Sequence, residues 1–498
     1  MKWLLAPLLG ASFSLALAPF DMWWCAVVSV VGLYALCTQH RHQAATLAWA
    51  YGLGKFGLGA SWVYVSIHVY GNASPALAGL LVVLFTMLTA ALFCLPLGWL
   101  FSRLGNKFHS EWVGAFLFIG LWGLLDWTAT WLLTGFPWLF VGNGLLETWL
   151  SGWTPVGGVL TTNTLFVASA VLLVVAWRVR TLKLNAALAL ASSLLPWLLG
   201  AWLQTVTWVT PVAEHSVALV QGNLDQAVKW QPDQAMPNVR RHLDLSADHW
   251  DADLIIWPEA AVTLYPQQAQ RLLESLAEQS ATTETALIFG IPGVEQVGEG
   301  YEYQNLAMGL GLARGRYAKQ HLVPFGEYVP FAFVLRGLID FFDLPMSSSS
   351  PGAMGQPNIK APFGEIAMAI CYEVAYPDSL RLKAKTAAVL ATISNDTWFG
   401  SSIGPLQHMQ LAQVRALENG RWMLRSTNNG VTGIIDPRGN ITQQLPQFEA
   451  ATLRGNWWSM QGSTPYTQYG HLMFFILVGL CLAPLISGIF APRIASDK

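Results

Sequence analysis

Two hydropathy regimes follow one another along the chain. Up to about residue 209, apolar residues come in runs of bilayer-crossing length, about 17 residues or more. Such runs lie near 3–19, 22–38, 44–68, 75–100, 111–133, 155–177 and 185–207, and an eighth lies near 471–490. Several contain Gly or Pro, which membrane helices tolerate. Between 210 and 470 the apolar runs are short and alternate with amphipathic stretches. Ser216–Val220, Leu254–Trp257, Ala286–Gly290, Ile366–Ile370 and Ala388–Ile393 read as buried strands. Residues 234–250, 266–279, 377–386 and 405–420 read as helices, the last closed by Gly420. Strands alternating with helices predict an α/β layered domain. The expected organisation is a seven-helix membrane domain at 1–209, a soluble domain at 210–470, and a final transmembrane helix with a short tail at 471–498.

Composition agrees with a membrane protein. Of 498 residues, 53% are hydrophobic and 11% charged, against about 25% charged in ordinary soluble proteins. The first run resembles a signal peptide, with Lys2 and then Ala16-Leu17-Ala18, but six more runs follow it, so it reads as a retained span. Basic residues sit at Lys2, Arg41, Arg103/Lys107, Arg178/Arg180/Lys183 and Arg493/Lys498, while the linkers at 18–21, 69–74 and 134–154 have none. By the positive-inside rule the basic linkers are cytoplasmic, so 210–470 lies on the outer face. Trp3, Trp23, Trp24, Trp99 and Trp112 fall at span ends, as in interfacial belts. Lys55, inside the third run, reads as a snorkelling or bundle-facing lysine, or as a functional one. Residues 210–492 carry 24 acidic against 17 basic residues, which argues against nucleic-acid binding.

Of five cysteines, Cys25, Cys37, Cys94 and Cys481 lie in or near spans, and Cys371 alone lies in the outer domain. A single thiol in a disulfide-permissive compartment is reactive, paired with another molecule, or buried and inert. Cys371 ends the apolar strand Ala367–Ile370, and Pro377 opens a helix soon after. On such a turn, the N–H after the thiol points toward a developing oxyanion. A thiol also needs a base. The domain's histidines (215, 242, 249, 321 and 408) have no informative context. Glu259 ends the apolar strand Leu254–Trp257, and Lys319 is followed by Glu327 in Leu322-Val323-Pro324-Phe325-Gly326-Glu327. A carboxylate, a lysine and a cysteine can converge there.

WPEAA at 257–261, YAKQHLVPFGEYVP at 317–330 and ICYEVAYPD at 370–378 resemble the Glu–Lys–Cys signature of the nitrilase (carbon-nitrogen hydrolase) superfamily. The order is the family's, with 60 residues from Glu259 to Lys319 and 52 from Lys319 to Cys371. With eight spans and GFPWL at 135–139, the chain resembles the bacterial inner-membrane apolipoprotein N-acyltransferases. The resemblance implies an αββα sandwich whose active site faces the membrane. It implies Cys371 as nucleophile, Glu259 as general base, and Lys319 as oxyanion stabiliser beside the Tyr372 N–H. Glu327 would position the lysine and base, Tyr372 and Glu373 would matter for activity, and Trp230 would lie near the entrance. The implied reaction moves an acyl chain from a phospholipid, such as phosphatidylethanolamine, through a thioester to the α-amine of a diacylglyceryl-cysteine lipoprotein, without a cofactor.

Read alone, these residues have plainer roles: Glu259 as a helix-start acid, Lys319 as a surface lysine, Glu327 and Glu373 as solvated acids, Tyr372 as backbone only, and Trp230 as packing. Gly400-Ser401-Ser402-Ile403-Gly404 fits the G-x-S-x-G elbow, but Asn395–Phe399 precede it where an apolar strand is required. No His, Cys and carboxylate cluster has metal-ligand spacing. Residues 341–357, with Phe341, Phe342, Leu344 and Met346, read as a lid. The rival readings are a membrane-tethered amide hydrolase with the same triad, and a transporter or scaffold with an inert outer domain.

Overall fold

The computed structural model describes residues 1–105, 110–298, 300–330, 333 and 348–490, without the side chains of 485–490. The chain divides into two compact units, one of residues 1–61, 80–206 and 469–498, the other of residues 62–79 and 207–468.

The first unit is helical. Its helices include Lys2–Ser14, Trp23–Gln39, Ala44–Gly59, Glu111–Thr128, Thr154–Arg178 and Lys183–Leu203. Among the described residues, three helical stretches are long and apolar enough to cross a membrane: Pro75–Gly105, Trp149–Arg178 and Lys183–Leu203. Shorter apolar helices run over Trp23–Gln39 and Leu472–Pro484. The helices at 2–14 and 44–59 touch backbone to backbone. A Cβ on Gly54 would lie 2.7 Å from the Pro7 carbonyl carbon, and such small-residue seams suit helix packing in lipid. Lys55 is buried, its ammonium 4.4 Å from the Phe13 ring centre, so it faces the bundle. The apolar run at 44–68 is not one helix. It stops at Gly59, and residues 62–79 belong to the other unit. Apolarity continues past the break because Trp62 and Ile67 are buried in protein, with Val63, Tyr64 and Val65 partly so.

The second unit is built on two six-stranded sheets. In chain order the strands are β1 (Val209–Gln221), β2 (Leu254–Ile256), β3 (Ala286–Val297), β4 (Gly300–Gly311), β5 (Gly315–Ala318), β6 (Ile359–Ala361), β7 (Gly364–Ile370), β8 (Ala387–Ser394), β9 (Met423–Thr427), β10 (Gly433–Ile435), β11 (Ile441–Gln444) and β12 (Ala451–Gly462). One sheet has the order β12-β1-β2-β3-β4-β5, the other β11-β10-β9-β8-β7-β6. The central pairs are parallel: β1 with β2, β2 with β3, β7 with β8 and β8 with β9. Strand alternation divides the core. Val217 and Leu219 of β1 face Ile366, Met368, Val389 and Leu424 of the other sheet, while Ala218 and Val220 face outward against Val239 and Leu276. The outer layers are the helices Ala235–Ser246 and Gln270–Thr282 on one sheet, and Pro377–Ala384 and Gly404–Asn419 on the other. Gly420, at φ +59°, ends the last of these in the left-handed conformation that glycine tolerates. The result is an αββα sandwich.

Parallel strands covered on both faces read as continuous apolar runs, and five such runs fall within β1, β2, β3, β7 and β8. The lid expected at 341–357 has Phe341, Phe342, Leu344 and Met346 outside the described residues.

Candidate active site

Three of the candidate residues stand just past the C-terminal ends of strands. Glu259 lies three residues beyond β2, Lys319 follows β5, and Cys371 follows β7. Close packing fixes the first of these: a Cβ on Gly290 of β3 would sit 2.7 Å from Glu259 Cα, so that strand needs a glycine there.

Glu259 is buried. Its Oε1 accepts from Asn305 Nδ2 at 2.6 Å, and its Oε2 from the Asn395 N–H at 2.7 Å. The Lys319 ammonium, 1% exposed, lies 3.7 Å from Glu259 Oε1 and 2.8 Å from Glu327 Oε2. Burial works against that ammonium, but the charges of Glu327 and Glu259 outweigh it and hold its pKa above the usual lysine range. Glu327 is fixed in turn by the Val323 N–H, 2.8 Å from Oε2.

Cys371 is a buried, non-glycine residue at φ +52°. Such strained backbone costs about 1–3 kcal/mol and persists only where its surroundings over-determine it. Burial and the Glu259 charge push the thiol up to about 12, and Lys319 pulls the other way. The resting sulfur is therefore a protonated thiol at neutral pH. Iodoacetamide alkylation of the peptide carrying Cys371 is expected to quicken about tenfold per pH unit from pH 7 to 10. A plateau below pH 9 would reveal a thiolate at rest instead.

Glu373 is fully buried, not a solvated acid. Its Oε2 accepts from the Ile370 N–H at 2.7 Å. Its Oε1 accepts from the Gln320 N–H at 2.7 Å, the His321 N–H at 3.1 Å and the Tyr317 hydroxyl at 2.9 Å. One carboxylate thus ties the turn carrying the cysteine to the segment carrying the lysine. Tyr372 is buried with its ring edge-on to Tyr376, centres 5.3 Å apart. Trp230 is 38% exposed. Its neighbour Lys229 is buried and donates to the Glu259 main-chain oxygen at 3.2 Å. Burial brings the Lys229 ammonium down to about 8 against the pull of Glu259.

Sequence reasoning missed Asn305, Asn395, Lys229 and a buried polar group behind the cysteine. His408 Nε2 lies 3.0 Å from the Cys371 main-chain oxygen. A carbonyl oxygen only accepts, so Nε2 carries the hydrogen. His408 Nδ1 lies 2.8 Å from Asp396 Oδ1, and Arg425 Nη2 donates to Asp396 Oδ2 at 2.7 Å. The Asp396 loop also meets residues 62–70. Ser66 Oγ donates to the Trp398 carbonyl at 2.8 Å, and the Trp62 ring stands edge-on to Phe399 at 4.8 Å. The apolar neighbours of Ser66 hid this contact, because they read as membrane.

Two family models match the chain. "Carbon-nitrogen hydrolase" covers residues 216–456, and "Apolipoprotein N-acyltransferase N-terminal domain" covers residues 9–172. A protein of Pseudomonas paraeruginosa named apolipoprotein N-acyltransferase is 45% identical over 493 residues, 97% of this chain and 96% of that one. The chain belongs to the apolipoprotein N-acyltransferase family. A Vibrio parahaemolyticus protein of the same name is 39% identical, with 96% of each chain covered. Among solved structures, Saccharomyces cerevisiae Nit3 of the nitrilase superfamily is similar at 19% identity and TM-score 0.38, over 51% of this chain and 92% of that one. The family's two parts, a helical N-terminal domain and a carbon-nitrogen hydrolase domain, are thus both present.

Proposed function

We propose that this chain moves an acyl chain from a phospholipid, through a thioester on Cys371, to the α-amine of a diacylglyceryl-cysteine lipoprotein. The observation that carries this reading is the buried cluster of Glu259, Lys319 and Glu327 beside Cys371, in a chain 45% identical to a named apolipoprotein N-acyltransferase. The donor is phosphatidylethanolamine. Eight spans hold the chain in the inner membrane, with 1–209 and 471–498 as its membrane parts except for residues 62–79, which join 210–470 in the catalytic domain on the periplasmic face. The alternation of basic and non-basic linkers supports that orientation.

In the first half-reaction Glu259 takes the Cys371 proton as sulfur attacks the sn-1 ester carbonyl. The carbonyl π pair moves onto oxygen, where Lys319 and the Tyr372 N–H receive it. Collapse expels lysophospholipid alkoxide, which regains the proton from Glu259. In the second half the lipoprotein amine attacks the thioester, Glu259 takes the amine proton, and the sulfur leaves and is reprotonated. The product is an amide, and the kinetics are ping-pong. Trp230 borders the entrance, while Glu327, Tyr372 and Glu373 support the reacting groups.

The test is the intact mass after incubation with phosphatidylethanolamine. A gain of one acyl chain is expected, mapped to Cys371, released by neutral hydroxylamine and absent in Cys371→Ala. Lysophospholipid formation with no adduct at Cys371 would assign the nucleophile elsewhere.

A further inference from the structure

The strained turn at Cys371 is pinned on both sides. Before it, the Ile370 N–H is held by Glu373. After it, the carbonyl of Cys371 itself is held by His408 Nε2 at 3.0 Å. That carbonyl shares one planar peptide unit with the N–H of Tyr372. Whatever fixes the C=O also fixes the direction of the N–H, which points the opposite way. A donor on the C=O further polarises the unit and strengthens the N–H as a donor, as in other hydrogen-bond chains.

His408 is itself held firmly. It is fully buried in the helix Gly404–Asn419, with Phe399 edge-on to its ring at 5.7 Å. Asp396 meets Nδ1, and Asp396 is fixed by Arg425 and by Ser394 Oγ at 2.6 Å. An ionised network this deep is costly to bury unless its members satisfy one another. His408 meets the nucleophile residue at its main-chain oxygen, while Ser394 of the same network hydrogen-bonds the Cys371 side chain and the Asp396 charge helps push the thiol up.

We propose that His408 is a positioning residue for acyl transfer: through the Cys371 carbonyl it orients and polarises the peptide unit whose N–H, on Tyr372, receives the developing oxyanion. This rests on Cys371 being the nucleophile. Asp396 and Arg425 hold the imidazole in place.

Two reactions of the same thiol separate this role from a general structural one. Acylation by an ester builds an oxyanion. Alkylation by iodoacetamide forms the S–C bond as iodide leaves, and builds none. His408→Met fills similar space without a donor, and His408→Gln keeps one. In mixed micelles of detergent and phosphatidylethanolamine, His408→Met is expected to slow acyl-enzyme formation by about ten- to a hundredfold, less than loss of a direct oxyanion donor. Alkylation of Cys371 at pH 9 should stay within about threefold of the parent, and His408→Gln should recover most of the acylation rate.

Equal loss of both reactions in His408→Met would overturn the proposal and leave His408 as a prop for the thiol. So would an unchanged acylation rate, or a Gln variant as slow as the Met variant. If His408→Met does not fold, Asp396→Asn carries the comparison, with acylation slowed while alkylation is kept or quickened, because the Asp396 charge helps push the thiol up. Loss of both reactions in that variant would overturn the proposal. Absence of an adduct in the parent protein would instead strike at Cys371 as nucleophile.

Discussion

Lys319→Met is expected to lower acyl-enzyme formation by at least about a thousandfold, with little change in the concentration of phospholipid needed for half-maximal rate. The ammonium is 1% exposed and touches Glu327 and Glu259, so it is a fixed charge in a dry site. Such a charge is worth most where the substrate develops its own, in the transition state. The same substitution should cost about 3–5 kcal/mol of stability, because it strands two buried carboxylates. The two effects can be separated. Lys319→Met combined with Glu327→Gln removes one stranded charge and should recover part of the lost thermal stability without recovering turnover. Turnover of the double variant within tenfold of the parent would remove Lys319 from the chemistry.

Glu259→Gln should be the second large effect, with acylation lowered by about 10³- to 10⁴-fold at pH 7. A thiol pushed up to about 12 presents almost no thiolate at neutral pH, so attack needs a base beside it. The amide keeps the shape of the carboxylate and can still accept from the Asn395 N–H, so the loop should stay in place. The same substitution should speed alkylation of Cys371, because the Glu259 charge is one of the causes that push the thiol up. The two reactions are expected to move in opposite directions. Raising the pH should restore acylation in the variant as hydroxide replaces the missing base. An acylation rate equal to the parent's at pH 7 would exclude Glu259 as the base.

These residues were legible in the sequence to unequal degrees. Glu259 and Cys371 follow apolar strands that pair in parallel, whereas Lys319 follows the half-exposed antiparallel strand β5 and was legible through the motif around it. Burial on both faces made β1, β2, β3, β7 and β8 readable as short apolar runs. β4 carries glycines and half-exposed positions, and β11 is largely exposed, so neither has a hydrophobic signature. Glu373 could not be read as buried, since three of its four donors lie more than 50 residues upstream. His408 was one histidine among five in the domain, and its partner Cys371 lies 37 residues away in sequence. The run at 44–68 shows a further limit. Hydropathy registers that a residue avoids water, not whether lipid or protein covers it, so Trp62 against Phe399 looked like more membrane helix.

The contact between Ser66 and Trp398 also bears on how the chain is made. The two residues are 332 positions apart. At about 5–20 residues per second, roughly 17–66 s of synthesis separate them. Loop-closure entropy grows only slowly with length, so the separation costs little in final stability. It does delay completion, because contacts so far apart form late. Residues 62–70 must wait, accessible to other partners, until the Asp396 loop has been translated. The catalytic unit is therefore finished among the last parts of the chain, and its assembly is exposed to any delay in the ribosome's progress between the two segments.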